Sequence, residues 1–255
     1  MPSPLSVAAL RRALDAAGLD APARYVEQTG STNAAALELA EAGTPEWTLV
    51  AAGHQTAGRG RLGRTWLDVP GRSLLFSVVL RPALAPERAG LVTLLAGACA
   101  SGAASEVTET PVRCKWPNDL LVGEAKVGGI LAEARVEGAE LSHVVVGIGV
   151  NVSDPPTGVR GAAGLGGVEP EALLAGILRR LAAAYRPQAP GFAEETLEAW
   201  RSVASTLGRR VLAATAGGRD VEGTAVDVDA TGALLVRTAT GTEPVAFGEV
   251  VHLRP

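Results

Sequence analysis

The spacing of apolar and polar positions divides the chain into a long region of mixed helices and strands and a tail of short strands. Apolar runs of strand length alternate with Ala- and Leu-rich stretches of helix length in the long region. The pattern predicts helices at 5–17, 30–43, 87–107, 169–186 and 191–206, and strands at 48–52, 73–80, 112–116, 120–122, 126–133 and 143–152. Because several strands follow one another as hairpins, the pattern favours an α+β fold over a doubly wound sheet.

The character of the sequence changes after Leu207. Four short apolar runs are divided there by glycine-rich turns, which predicts a small antiparallel barrel of about fifty residues. We therefore expect two domains, 1–205 and 206–255.

Bulk composition narrows the class of protein. The chain is 47% hydrophobic and 20% charged, which is ordinary for a globular protein. A net charge of −4 argues against general nucleic-acid binding. The two cysteines lack metal-ligand spacing, and the N-terminal segment 1–7 lacks the pattern of a secretory signal. Since we expect no apolar run to span a membrane, the sequence predicts a cytoplasmic protein.

Lysine is confined to one short window. Of the 23 basic residues, only Lys115 and Lys126 are lysines, and they lie eleven positions apart. A lysine ammonium is a compact charge that can approach a phosphate or carboxylate more closely than a planar guanidinium. This window is therefore a candidate anion site, the alternative being that two lysines survive by chance.

A glycine-rich segment at 58–63 carries arginines at two of its three variable positions. It matches the G-x-G-x-x-G pattern, but the residues that follow include Pro70-Gly71 and are poor helix formers. The dinucleotide-binding fingerprint requires a helix there, so that function is disfavoured. With Arg59, Arg61 and Arg64, the segment is suited to wrap an anion, the alternative being a solvated basic hairpin.

Two further segments place polar residues at strand ends. Pro117 ends a strand, so that Asn118 and Asp119 could orient a metal ion, a ribose or a lysine, although Asn-Asp is also a common turn. Asn151 ends a strand after two glycines that would let a ligand lie against the backbone, and a structural turn is the alternative. The three histidines are scattered, which disfavours a zinc site or a catalytic triad.

Taken in order, these segments resemble biotin protein ligases. The matching segments are 30–33, 55–66, 73–77, 115–119, 126–133 and 147–151. The resemblance covers about 25–155, and the tail is similar to the family's SH3-like C-terminal domain. It implies a class II synthetase-like catalytic domain with a mixed sheet and flanking helices. Some members also carry an N-terminal DNA-binding domain, and the short leading segment here favours the form without it.

The resemblance also implies an activity. Biotin would be activated with ATP and Mg²⁺ to biotinyl-5′-AMP and then transferred to a lysine of a biotin carboxyl carrier domain of an acyl-CoA carboxylase. Neither nucleic acid nor membrane is an implied partner. The choice between monomer and homodimer, and the metal ligands, are left open.

Three sets of site residues follow from the resemblance. The catalytic set is Lys126, Arg59, Arg61 and Asp119. The biotin set is Ser31, Thr32, Asn33, Gln55, Gly58, Arg59, Gly60, Arg61, Lys126, Gly128 and Gly147. The ATP set is Arg61, Arg64, Trp66, Lys115, Asn118 and Asn151. In this scheme Lys126 is an electrostatic catalyst and not a nucleophile, and Asp119 orients it.

Three other hypotheses compete with this one. A lipoate–protein ligase would use the same catalytic architecture. A non-enzymatic adaptor would use the C-terminal barrel as an interaction module. A DNA-binding repressor is disfavoured by the acidic net charge.

Overall fold

The computed structural model describes residues 5–215, 219–246 and 248–253. Residues 1–4, part of the segment in which the sequence predicts no secretory signal, lie outside the described residues. The helices are α1 Val7–Ala16, α2 Thr32–Glu41, α3 Ala89–Thr108, α4 Pro170–Ala184 and α5 Phe192–Val203. The strands are β1 Ala23–Thr29, β2 Leu49–Gln55, β3 Ser73–Leu80, β4 Val112–Lys115, β5 Asp119–Val122, β6 Ala125–Glu137, β7 Glu140–Asn151, β8 Arg210–Thr215, β9 Asp220–Val228, β10 Leu234–Thr238, β11 Gly241–Val245 and β12 Gly248–His252.

A mixed seven-stranded sheet forms the centre of the long region. Its strand order is β1-β2-β3-β7-β6-β5-β4, in which β1 and β2 are parallel and every other pair is antiparallel. All eight residues of β3 are buried, which explains why its sequence is a continuous apolar run rather than an alternating one. The predicted α+β fold with a mixed sheet and flanking helices is confirmed.

Helices cover both faces of this sheet. On one face α3 packs between the sheet and the helices α4 and α5, and α1 packs against α4 and β1. On the other face α2 packs on β2, β3 and β7, where Val50, Val79 and Val145 form a separate apolar cluster with its alanines. Successive side chains of a strand point to opposite faces of the sheet, so they pack into two different apolar clusters.

Helix α3 corrects one expectation from the sequence. Together with the preceding turn it spans Pro86–Thr108, which is long and apolar enough to cross a membrane by length and composition. Most of this stretch is buried between the central sheet and its neighbouring helices. Burial of 61% of the stretch accounts for its apolar character.

The C-terminal strands form a second sheet, entirely antiparallel, in the order β11-β10-β9-β8-β12. Among the described residues no pairing of β11 with β12 closes this sheet, so the SH3-like barrel stays a prediction. The sequence pattern missed β11, which contains Pro244 and lies at the edge, where a missing N–H is tolerated.

Trp116 joins the two sheets. Its backbone N–H donates to Thr206 Oγ1 at 2.9 Å, and its indole N–H donates to the carbonyl of Gly232 at 3.0 Å. Trp116 is only 2% exposed. These bonds hold the turn that follows β4 to the segment before β8 and to the turn between β9 and β10.

Candidate active site

A cavity of about 280 Å³ opens where the central sheet meets the loop after β2 and the C-terminal sheet. Most of the residues expected at the site line it: Ser31, Thr32, Asn33, Gln55, Arg59, Gly60, Arg61, Arg64, Trp66, Lys115, Asn118, Asp119, Lys126 and Gly147. Three expected residues, Gly58, Gly128 and Asn151, are not part of its wall. The fold therefore brings segments that lie far apart in sequence to one place.

Lys126 lies near the start of β6 and points its ammonium at the wall of the cavity. Its Nζ lies 2.5 Å from Asp119 Oδ1 and 5.9 Å from the centroid of the Trp66 ring. Its backbone N–H donates to the carbonyl of Gly161, and its own carbonyl accepts from the N–H of Ala163. The backbone is thus fixed on both sides, while 40% of the side chain stays exposed.

The glycine- and arginine-rich loop forms a narrow hairpin. The Gly60 N–H donates to the carbonyl of Arg64 at 2.7 Å, and the Trp66 N–H donates to that of Gly58 at 2.9 Å. A single 3₁₀ turn, Arg61–Gly63, makes its tip, and strand β3 follows rather than a helix. The local geometry therefore lacks the strand–turn–helix arrangement of a dinucleotide-binding turn.

The three arginines of this loop converge on the cavity. Arg59 Nη2 donates to Glu133 Oε2 at 3.0 Å, and Arg64 forms an ion pair with Glu249 of β12. Burial lowers the pKa of the Arg61 guanidinium, while nearby carboxylates, chiefly Glu249, act in the opposite direction. Guanidinium groups in these positions favour an anionic ligand.

Polar groups at the start of α2 meet the end of β2. The Thr32 N–H and hydroxyl both lie within hydrogen-bonding distance of Gln55 Oε1, at 2.7 and 3.1 Å. Since the Gln55 oxygen faces α2, its NH₂ group lies on the opposite side of the planar amide. Ser31 takes the N-cap position of α2 but makes no capping bond with its side chain, so its hydroxyl is available to the cavity it lines.

The two glycines near the end of β7 make room for side chains of the protein itself. A Cβ on Gly149 would lie 3.0 Å from the Trp66 ring, and a Cβ on Gly147 would overlap with the Asn33 amide. The sequence predicts that these glycines admit a ligand to the backbone. Each one makes room for a neighbouring side chain, and both also line the cavity, so their expected role toward a ligand stays a prediction.

Asn151 lies outside the cavity wall and has structural partners. Its Nδ2 donates to the carbonyl of Ala163 at 3.1 Å, and its Oδ1 accepts from Ser73 Oγ at 3.4 Å. Gly128 also lies outside, although the adjacent Gly129 lines the cavity. The expected binding roles of Asn151 and Gly128 stay predictions.

The sequence suggests that the C-terminal domain helps to hold ATP or the acceptor domain, but it identifies no residue there as part of the site. Glu249, Val250 and Val251 of β12 line the cavity. They belong to no motif, so the local sequence offers no signal for them. Their position depends on the packing of one sheet against the other.

A polar cluster holds β12 against the end of β5. His252 Nε2 lies 3.2 Å from Thr206 Oγ1, and its Nδ1 lies 3.3 Å from Arg209 Nη1, which also donates to Glu124 at 2.8 Å. Burial, followed by the charges of Lys115 and Arg209, lowers the pKa of His252 to about 4. His252 is therefore neutral near pH 7, and Nδ1 can accept from the guanidinium.

Within the ranges that the structure describes, no group of three or more His, Cys, Asp or Glu side chains could hold a metal ion. The carboxylates on the cavity wall are Asp119 and Glu249, and each is paired with a cation, Lys126 or Arg64. The site is thus predominantly a cationic pocket for anions.

Two family models match the chain. Residues 25–151 match the Biotin/lipoate A/B protein ligase family, and residues 206–253 match the Biotin protein ligase C terminal domain. Together they cover the central sheet with its loop and the C-terminal sheet.

Similar proteins agree with these matches. The chain is 39% identical over 132 residues to the bifunctional ligase/repressor BirA of Bacillus subtilis, covering 52% of this chain and only 41% of that protein. It is 35% identical over 243 residues to the biotin--[acetyl-CoA-carboxylase] ligase of Mycobacterium tuberculosis, covering 90% of this chain and 88% of that one.

A solved structure has the same fold. The biotin protein ligase from Aquifex aeolicus in complex with biotin and ATP superposes with a TM-score of 0.74 at 28% identity, over 92% of this chain and 99% of that chain. Because a relative that is 35% identical matches 90% of this chain and is itself covered to 88%, this chain belongs to the biotin protein ligase family.

Proposed function

We propose that this protein is a biotin–protein ligase. In the first half-reaction the biotin carboxylate attacks the α-phosphorus of ATP, which forms biotinyl-5′-AMP and releases pyrophosphate. In the second, a lysine amine of an acceptor protein attacks the biotinyl carbonyl, loses a proton and releases AMP. The single observation that carries the proposal is the cavity that unites Lys126 with the arginine loop and the polar start of α2.

The cationic side chains of the cavity can hold the two anionic substrates together. A carboxylate and a triphosphate repel each other, so the enzyme must hold two anions in contact and neutralise the charge that develops between them. Lys126, Arg59 and Arg61 line one cavity and are suited to this. In this role Lys126 acts through its charge, and Asp119, 2.5 Å away, orients the ammonium.

The loop has a second task. An acyl adenylate is hydrolysed by water, so the intermediate must be covered. The hairpin from Gly58 to Trp66 lies against the cavity and carries exposed Leu62 at its tip. Its ion pair between Arg64 and Glu249 would let the C-terminal sheet hold the loop closed.

Magnesium would enter together with ATP. Mg²⁺ prefers oxygen ligands and usually binds through one or two carboxylates plus the phosphates of the nucleotide. The two carboxylates on the cavity wall, Asp119 and Glu249, are each paired with a cation, so the proposal leaves the protein ligands of the ion open and takes its oxygen ligands from the nucleotide phosphates. The ion would neutralise phosphate charge when bound.

The finer features of the proposal concern architecture and partners. We propose a class II synthetase-like catalytic domain at 1–205 and an SH3-like domain at 206–255, which the match of 206–253 to a C-terminal domain model supports. The acceptor would be the biotin carboxyl carrier domain of an acyl-CoA carboxylase, by analogy with the printed name of the Mycobacterium tuberculosis relative. A cytoplasmic location, without nucleic acid or membrane as partner, belongs to the same proposal, and either a monomer or a homodimer is compatible with it.

A two-part experiment tests the function. Purified protein is incubated with biotin, ATP and Mg²⁺, and biotinyl-5′-AMP is measured by mass spectrometry; an isolated carrier domain is then added. The expected result is the adenylate first and a biotinylated lysine second. Formation of lipoyl-AMP from lipoate, with no product from biotin, would reassign the substrate.

A further inference from the structure

A continuous series of hydrogen bonds follows the wall of the cavity and connects its polar end with the arginine loop. Its members, in order, are Gln55, Thr32, Ser77, Asn33, Glu133 and Arg59. Ser77 and Glu133 do not line the cavity themselves, yet each contacts residues that do. We call this series the buried relay.

Asn33 has one orientation in the buried relay. Its Nδ2 donates to the carbonyl of Leu131 at 3.0 Å and to Glu133 Oε2 at 2.7 Å. Both partners are acceptors, so the amide oxygen must face the other way, toward Ser77. Gly147 leaves the space for this amide, because any Cβ there would overlap with it.

Ser77 holds two cavity residues at once. It lies in the middle of β3 with no exposed surface, and its Oγ is 2.6 Å from Asn33 Oδ1 and 2.8 Å from Thr32 Oγ1. Its one hydroxyl proton serves both acceptors, and Thr32 in turn directs its N–H and hydroxyl to Gln55. Removing the Ser77 hydroxyl would leave buried acceptors without their donor.

Glu133 connects the other end of the buried relay to the loop. The same carboxylate oxygen that accepts from Asn33 also accepts from Arg59 Nη2 at 3.0 Å. Glu133 is 28% exposed and Arg59 42% exposed, so this end is reachable by solvent and can open. The position of the loop and the orientation of Asn33 therefore depend on one carboxylate.

We propose that Ser77 and Glu133 are positioning residues for the ligand. Ser77 fixes Thr32 and Asn33, and Glu133 couples that arrangement to Arg59, so the polar end of the cavity and the loop are ordered together. This inference rests on the proposed function, since it takes biotin as the ligand. Loss of either residue should therefore weaken the binding of biotin and leave the binding of ATP unchanged.

The test compares Ser77→Ala, Glu133→Gln and the double variant with matched controls. Ser101→Ala removes a hydroxyl that is equally buried but bonds to the carbonyl of Val112, and Glu106→Gln alters an exposed pair with Arg180. Calorimetry gives the Kd for biotin, and biotin-dependent ATP–pyrophosphate exchange gives KM for both substrates and kcat. Trypsin cleavage within the arginine loop reports on its closure.

Ser77→Ala is expected to raise the Kd and KM for biotin about tenfold or more, as unsatisfied buried acceptors do. At saturating biotin, kcat and the KM for ATP should change by less than about twofold, because only uniform binding is lost. Glu133→Gln should also raise the Kd for biotin and speed cleavage of the loop. Since both residues act through Asn33, the double variant should lose less than the product of the single losses.

Specific results would overturn the inference. Biotin binding by Ser77→Ala within about twofold of the unmodified protein, or an equal loss in Ser101→Ala, would remove the role of Ser77. Multiplicative losses in the double variant would remove the coupling through Asn33. An unmodified protein that binds lipoate and not biotin would refute the proposed function itself, and the inference with it.

Discussion

Replacing Lys126 by alanine separates catalysis from stability. The variant removes the ammonium that lies 2.5 Å from Asp119, but it retains the two backbone hydrogen bonds that hold this residue to the segment at 161–163. The side chains of the pair are 40% and 24% exposed, and an exposed ion pair contributes about 0–1 kcal/mol to the free energy of unfolding. For a chain of this size that corresponds to a fall in Tm of roughly 4 °C or less.

The catalytic loss should be much larger. Removing one preorganised electrostatic group from a site where charge develops typically lowers kcat by about 10²- to 10³-fold. Lys126→Met should behave like Lys126→Ala, because it preserves most of the side-chain length without the charge. The assay is biotin-dependent ATP–pyrophosphate exchange, with Tm measured on the same samples.

Arg12→Ala provides the matched control. Arg12 pairs with Glu171 at 2.7 Å, the side chains of this pair are 61% and 40% exposed, and both residues lie outside the cavity. Its Tm should shift as little as that of Lys126→Ala, with full activity. A near-normal exchange rate in Lys126→Ala would refute the electrostatic role, and a fall in Tm beyond about 10 °C would show that the lysine is structural.

Three further predictions follow from the packing around the cavity. In Gly149→Ala the added Cβ would lie 3.0 Å from the Trp66 ring, so the variant should lose about 1–3 kcal/mol in the free energy of unfolding and show a raised KM for ATP. An unchanged KM would contradict the role of this contact. Thr206→Ala leaves the buried backbone N–H of Trp116 without its acceptor, so denaturant unfolding should show a loss of about 1–3 kcal/mol in the free energy of unfolding. Thr206→Ser keeps the hydroxyl and should be nearly normal. Equal losses in both variants would contradict the role of the hydroxyl. The pKa of His252 is lowered to about 4 in the folded protein, so between pH 6.5 and 4 the unfolded chain binds a proton that the folded chain does not. As the pH is lowered through this window, the free energy of unfolding should decrease by up to about 1.4 kcal/mol per pH unit. His252→Gln should flatten this dependence, and an unchanged slope would contradict the prediction.

The elements that the sequence predicted well are those whose pattern is local. Strand β3 was predicted at 73–80 and is found at Ser73–Leu80, because a continuous apolar run of that length is typical of a buried central strand. Strand β11 was missed, because it contains Pro244 and its place at a sheet edge depends on pairing with β10.

The candidate site shows the same division. The sequence predicts the chemistry of Lys126, Asp119 and the arginine loop, because each lies in a contiguous motif. The fold brings these motifs to one cavity. Glu249 reaches that cavity only because the C-terminal sheet packs beside it. Ser77 was part of a matching segment, but its bonds to Thr32 and Asn33 join positions about 45 residues apart and had no local signal.

Whether the cavity activates biotin can be measured by ATP–pyrophosphate exchange with the purified protein and Mg²⁺, using biotin, lipoate and octanoate in parallel. We expect exchange that depends on biotin and is absent with the other two acids, since the first half-reaction is reversible adenylation of biotin. Folded protein that gives no exchange with biotin would contradict the assignment of this cavity to biotin activation.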